Sequence, residues 1–105
     1  MIRIQDNIID VLCTFNDTPT LAMFIEAAAQ ASSAFDLSND NQPKIGFLAV
    51  VKDVKLLNDI KEKRYVIKVE IKVKINNIKQ FYFEVFEELS NIKCVSGNFT
   101  LIIQE

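Results

Sequence analysis

The chain has 105 residues, half of them hydrophobic and a quarter charged, with a formal net charge of −2 and no histidine. That length fits one domain covering residues 1–105, with enough apolar side chains for a core, and the slightly acidic balance excludes a general nucleic-acid binder. With no histidine and only two cysteines, Cys13 and Cys94, set far apart, no metal-ligand set is present, so neither a metal nor a bound cofactor is expected. Residues 8 to 15 predict a strand, because Ile9, Val11, Cys13 and Phe15 alternate onto one face. Asn16-Asp17-Thr18-Pro19 then predicts a turn and a helix start, with Asp17 or Thr18 as cap and Pro19 at the first helical position.

The predicted helix runs from about residue 19 to residue 35. Leu21, Phe24, Ile25, Ala28, Ser32 and Phe35 follow helical spacing, and Ala27, Ala28, Ala29 and Ala31 leave little bulk between them. A helix so small and apolar on nearly every side is expected to be wrapped by other elements. Glu26 and Gln30 are the polar residues in its middle. A carboxylate on such a helix is expected to be buried, and burial is costly enough that such groups often serve chemistry.

Residues 36 to 44 read as a polar loop, after which the period changes to two. Residues 45 to 57 predict a long strand that opens with the apolar run Phe47-Leu48-Ala49-Val50-Val51, far too short to cross a bilayer. In residues 65 to 75, Tyr65, Ile67, Val69, Ile71, Val73 and Ile75 share one face, and Lys68, Glu70, Lys72 and Lys74 share the other. Asn76-Asn77 signals a hairpin. The next strand, about 79 to 88, puts Phe81, Phe83 and Val85 together. A last strand, about 93 to 104, does the same for Val95, Gly97, Phe99, Leu101 and Ile103. A strand, a helix and a meander of long antiparallel strands make an α+β domain with a long central helix in the curve of one sheet.

This order resembles the hotdog fold, and Glu26-Ala27-Ala28-Ala29-Gln30 resembles the E-A-x-A-Q segment of bacterial 3-hydroxyacyl-acyl carrier protein dehydratases of the FabZ type, whose central helix carries a catalytic acid. Gly46 and the strand after it are similar to that family's next strand, so the resemblance covers roughly residues 8 to 104. It argues against a cystatin-like arrangement, the other fold with a helix before an antiparallel meander. It implies Glu26 as the catalytic acid or base, Gln30 as an orienting residue, and Thr14, Leu21 and Phe47 as substrate-binding positions. The family turn H-F-P-x-x-P-x-x-P-G corresponds here to Thr14-Phe15-Asn16-Asp17-Thr18-Pro19-Thr20-Leu21. Thr14 stands in the place of the histidine base, and Leu21 near the glycine whose N–H polarises the thioester carbonyl.

Three readings follow from the resemblance. The first is a dehydratase homologue acting on acyl carrier protein or CoA thioesters in fatty-acid or related lipid metabolism, lacking the imidazole that suits the base role. The second is a hotdog thioesterase using Glu26 as base or nucleophile, which needs no histidine. The third is a non-catalytic acyl-binding or partner subunit. A homodimer is expected, because hotdog sheets join edge to edge with the site between subunits. The apolar run at residues 45 to 51 is of the kind a second chain covers. Residues 52 to 79 hold nine of the twelve basic side chains, which reads either as a docking surface for an acidic carrier or as a solvated sheet face. Asp6, Asn7 and Asp10 interrupt any apolar leader, and the cysteines read as reduced thiols, so a cytoplasmic protein without membrane insertion is expected.

Overall fold

Period-two alternation in four long segments closes into a single antiparallel sheet. The computed structural model describes residues 2–32 and 46–103. The elements are β1 (Ile2–Gln5), β2 (Ile8–Thr14), α1 (Leu21–Ser32), β3 (Gly46–Leu56), β4 (Arg64–Ile75), β5 (Ile78–Glu87) and β6 (Lys93–Ile103). The strands lie in the order β1-β2-β4-β5-β6-β3, each antiparallel to its neighbours. The chain leaves β2, crosses by way of α1 to the far edge of the sheet, forms β3 there against β6, its one partner among the described strands, and returns to β4 beside β2. Among the described residues no helix is long and apolar enough to cross a membrane.

The buried face is the one the alternation marked. Ile9 pairs with Val69 and Cys13 with Tyr65; Val69 pairs with Phe83 and Ile67 with Val85; Phe81 pairs with Phe99 and Phe83 with Gly97. Phe81 and Phe99 stack at 5.0 Å between ring centroids. Gly97 lets the Phe83 ring lie against the backbone of β6. A Cβ there would stand 2.8 Å from Phe83 Cε1 and 3.0 Å from Val54 Cγ2. The Asn76-Asn77 hairpin forms as read, with Asn76 in the left-handed region at φ 55°. The same device at Asp6-Asn7, with Asp6 at φ 53°, joins β2 to β1, a strand the sequence pattern did not reveal.

Helix α1 has 12 residues, shorter than the stretch from 19 to 35; residues 33–35 and the expected loop at 36–44 lie outside the described residues. Its cap is Thr20 rather than Asp17 or Thr18. Thr20 Oγ1 accepts from Met23 N–H at 3.2 Å, and Pro19 is buried just before it. The helix is also not wrapped on all sides. Phe24, Ala28 and Ser32, at i, i+4 and i+8, are buried against the sheet, while Ala22, Met23, Glu26 and Gln30 face away and are exposed. Phe24 is held edge-on by Phe15 (5.6 Å) and Tyr65 (4.9 Å). A further departure lies in β4, where the register shifts between Ile71 and Val73. The shift turns Val73 and Ile75 to the helix-free face, and Ile75 is 60% exposed. A bulge of this kind adds one residue and reverses the parity beyond it.

Two substitutions test this packing by urea denaturation at fixed protein concentration. Phe24→Ala removes the ring that seats the helix and is expected to cost about 3–5 kcal/mol. Gly97→Ala is expected to cost about 1–3 kcal/mol by forcing Phe83 and Val54 aside.

Candidate active site

The start of α1 combines two features that matter for acyl chemistry. The first N–H groups of a helix have no intrahelical acceptor. Thr20 takes that of Met23, so Leu21 and Ala22 present theirs at the positive end of the helix dipole. Further along, Glu26 is the sole ionisable side chain between Leu21 and Ser32. Gln30 follows it by four residues, which puts the two side chains one above the other on one face. The expectation that Glu26 is buried is corrected: within one chain it is exposed, as is Gln30. The cause is the rotation of the helix. Phe24 points into the sheet, and a residue two positions on is turned about 200° from it.

Leu21 stands at the helix start, half-buried. Thr14 and Phe47 do not meet this face. Thr14 pairs with Arg64 and alternates away from Cys13, so it lies on the helix-free side of the sheet. Phe47 pairs with Ile102, also on the helix-free side. Thr14 and Phe47, expected as substrate-binding positions, therefore stand on the face of the sheet opposite the helix that carries Glu26. In β3 a register shift between Leu48 and Val50 leaves Ala49 as the extra residue and turns Leu48 and Val51 toward the helix side. Those two residues, with Met23 on the open face of α1, are what strict alternation missed. The bulge carries no signal in a run of five apolar residues.

The thiols are not poised for nucleophilic work. Burial pushes Cys13 up from its ordinary value, on the helix side of β2. Burial, and after it the Glu87 charge, push Cys94 up as well. A raised thiol pKa leaves little thiolate at neutral pH. Two clefts open elsewhere. One of about 430 Å³ lies between the β3–β4 connection and the β5–β6 turn, lined by Lys61, Lys63, Arg64, Glu87, Glu88 and Leu89 among others. One of about 230 Å³ lies on the helix-free face around Lys52, Lys72, Gln80 and Asn98. Neither contains Glu26. The basic stretch at residues 52 to 79 does not gather into one patch. Lys68 lies over the Phe86 ring and Lys72 over Tyr82, Arg64 pairs with Glu88 at 2.6 Å, and Lys79 is buried on the helix side.

No protein-family model matches this chain, and no curated protein matches its sequence. Solved structures do match, and they define a hotdog-like fold. A thioesterase from Staphylococcus aureus, solved as a glutamine-to-alanine mutant, has a TM-score of 0.77 at 11% identity, over 98% of this chain and 90% of that one. A thioesterase from Haemophilus influenzae has a TM-score of 0.76 at 12% identity, over 98% of this chain and 76% of that one. A hypothetical thioesterase protein from Streptococcus pneumoniae, solved with an aspartate replaced by alanine, has a TM-score of 0.76 at 14% identity, over 99% of this chain and 89% of that one. Identities this low establish the shared fold, and the chemistry has to be argued from this chain's own residues.

The shifted groups give a signed pH dependence. Cys13 and Cys94 are raised by burial, Tyr65 is raised chiefly by burial, and Lys93 is raised by its hydrogen bond and charge pairing with Glu84. In each case the folded state holds its proton at a pH where the unfolded chain releases it. The contribution is complete below the unfolded values and is lost as pH rises. The ordinary thiol value is 9.0, so these groups are expected to leave the urea midpoint unchanged up to about pH 9 and to lower it beyond. At mildly alkaline pH the native thiols should also react with a disulfide reagent far more slowly than in urea. Equal rates would contradict their burial.

Proposed function

We propose that this chain is an acyl-thioester hydrolase in which Glu26 acts as the base, and that its site is completed by a second copy of the chain. One observation carries the reading. The only ionisable side chain of α1 stands on the open face of the helix, beside an amide one turn on and two turns or less from unpaired helix-start N–H groups. The likeness to solved thioesterase structures supports it.

Water held between Glu26 and Gln30 attacks the thioester carbonyl carbon. Glu26 takes the water proton, and N–H groups of the Leu21 and Ala22 type receive the negative charge that develops on the carbonyl oxygen. When the carbon–sulfur bond breaks, its electron pair leaves with sulfur, and the departing thiolate takes the proton from Glu26 to leave as the thiol. No imidazole is needed at any step. Dehydration of a 3-hydroxyacyl thioester by the histidine–glutamate pair would need one. The position expected for it, Thr14, is on the other side of the sheet, which favours hydrolysis over dehydration. The substrates are thioesters of CoA or of acyl carrier protein.

The second copy is argued from β3. Among the described residues this strand pairs with β6 alone, and its other edge has no strand beside it. Phe47, Leu48, Val50 and Val51 along it are 41 to 55% exposed. Edge strands that stay free carry charges or proline; this one is apolar until Lys52, then turns at Asp53 (φ 54°) through a second register shift before Lys55. A second β3 pairing along residues 46–52 would cover it and would bring another chain beside the open helix faces.

Hydrolysis of acyl-CoA and acyl-carrier-protein panels is expected to fall at least about 100-fold in Glu26→Gln with folding unchanged; equal rates in both proteins would end the reading. The Leu48→Lys/Val51→Lys double variant is expected to be monomeric by light scattering and to lose hydrolysis together with assembly. Full activity in a monomer would remove the second copy from the site.

A further inference from the structure

We propose that the cleft of about 230 Å³ on the helix-free face of the sheet binds a small organic phosphate, one that carries a hydroxyl or amino group beside its phosphoryl group. The site lies on the opposite side of the sheet from α1 and does not depend on the hydrolase reading.

The cleft is framed by two bulges. In β4, Lys72 is the extra residue between Ile71, which pairs with Phe81, and Val73, which pairs with Gln80. In β3, one residue is added between Lys52, which pairs with Asn98, and Lys55, which pairs with Ser96; Asp53 there takes φ 54°. Between the bulges, β5 and β6 supply Gln80, paired with Thr100, and Asn98. Asn98 and Thr100 alternate with the buried Gly97, Phe99 and Leu101, so they face away from the helix. Bulges re-aim side chains and recur beside functional sites. Here each one puts a charged residue into the lining of the same cleft.

The lining is rich in donors. Lys52 and Lys72 offer ammonium groups, Gln80 and Asn98 amide N–H groups, and Thr100 a hydroxyl. Among the described residues, the side chains of Lys52, Gln80, Asn98 and Thr100 have no hydrogen-bond or ion-pair partner. Lys72 is anchored: its Nζ lies 3.1 Å from Glu70 Oε1 and 5.6 Å from the centre of the Tyr82 ring. That fixes its position and leaves further N–H groups for a ligand. The larger cleft at the end of the sheet differs, because its charges are met from within. Arg64 pairs with Glu88, and Ser90 donates to Glu87.

The donors select the ligand. A carboxylate has two oxygens to satisfy, whereas a phosphoryl group presents three and carries more charge. Lysine binds phosphate as a point charge, and the planar arginine fork that suits a carboxylate is missing from this lining. Asp53 is the one acidic residue there and would repel a bare oxyanion. It suits a ligand with a donor next to its phosphoryl group. The volume is below the roughly 300–1,000 Å³ of pockets that enclose drug-sized ligands, so a compact metabolite fits and a dinucleotide does not.

Solution NMR and calorimetry on the full chain in phosphate-free buffer test this. Glycerol phosphate is expected to shift the backbone amides of Gln80, Asn98 and Thr100 and the side-chain amides of Gln80 and Asn98. Inorganic phosphate should do the same with lower affinity, and glycerol alone, or sodium chloride at equal ionic strength, should not. Lys52→Gln, at an exposed position, is expected to raise the dissociation constant at least about tenfold, the loss of one charge-assisted hydrogen bond. Asp53→Asn keeps a residue tolerated in the left-handed region; it is expected to retain phosphate binding and to lose the preference for glycerol phosphate. No shifts, shifts centred on Lys61, Lys63 and Arg64 instead, or an unchanged dissociation constant in Lys52→Gln overturn this inference and leave the hydrolase reading standing. Equal affinity for phosphate and glycerol phosphate overturns the assignment to an organic phosphate.

Discussion

The placement of every candidate group depends on how Phe24 is seated. Its ring is fully buried and meets Phe15 from the end of β2 and Tyr65 from β4 edge-on. The Tyr65 hydroxyl in turn accepts the Glu62 N–H at 2.9 Å, tying the β3–β4 connection to the same point. Edge-to-face pairs add about 0.5–1.5 kcal/mol each beyond the burial of the rings, so this junction resists rotation of α1. Ala28 and Ser32 continue the buried line with side chains small enough for the helix to lie close to the sheet. Once Phe24 points inward, Glu26 has no choice of direction. The carboxylate is delivered to the outer face of the helix by a ring that it never touches.

The same crossover leaves a second surface unfinished. Because the crossover that includes α1 carries the chain from β2 past three strands to the far edge, β3 is laid down with a single neighbour among the described residues. A strand that returned beside β2 would have been covered twice. The open side of the helix and the open side of β3 are thus two consequences of one connection. Both are apolar apart from Glu26 and Gln30 on the helix and Lys52, Asp53 and Lys55 toward the end of the strand. An isolated chain would leave them in water at a cost that scales with their area, which is the physical reason to expect another chain against them.

Much of this architecture was legible from residue alternation. The pattern in Tyr65, Ile67 and Val69, and again from Val95 to Ile103, marked the core face, because a strand with one wet side cannot hide its period. Helix α1 was legible as a helix through Pro19, Thr20 and the alanines, but its burial was misread. Apolar composition records that a surface is covered, and it does not record which chain covers it. Bulges at Ala49 and beyond Ile71 were illegible for another reason: each adds one residue inside a run of similar side chains, so the sequence before and after looks continuous while the faces exchange. Thr14 and Phe47 lie on the helix-free side by simple alternation, with no bulge between them and the pairs that set their faces. Thr20 takes the cap expected of Asp17 or Thr18, and what identifies it is the Met23 N–H that its Oγ1 accepts.

The chemistry then turns on what surrounds a single carboxylate. In a chain with no histidine, proton transfer near neutral pH falls to carboxylates, thiols or water, and burial has taken both thiols out of contention. A carboxylate facing bulk solvent works against its own hydration shell. The same group in a closed site, with the water it activates held by a neighbouring amide, acts without that competition. Glu26 lies on a surface that one chain leaves open and that pairing along β3 would place beside a second. The proposed assembly and the proposed reaction are therefore not independent. Any change that opens the β3 edge should weaken hydrolysis by rehydrating Glu26, even though no residue of β3 takes part in the proton transfer.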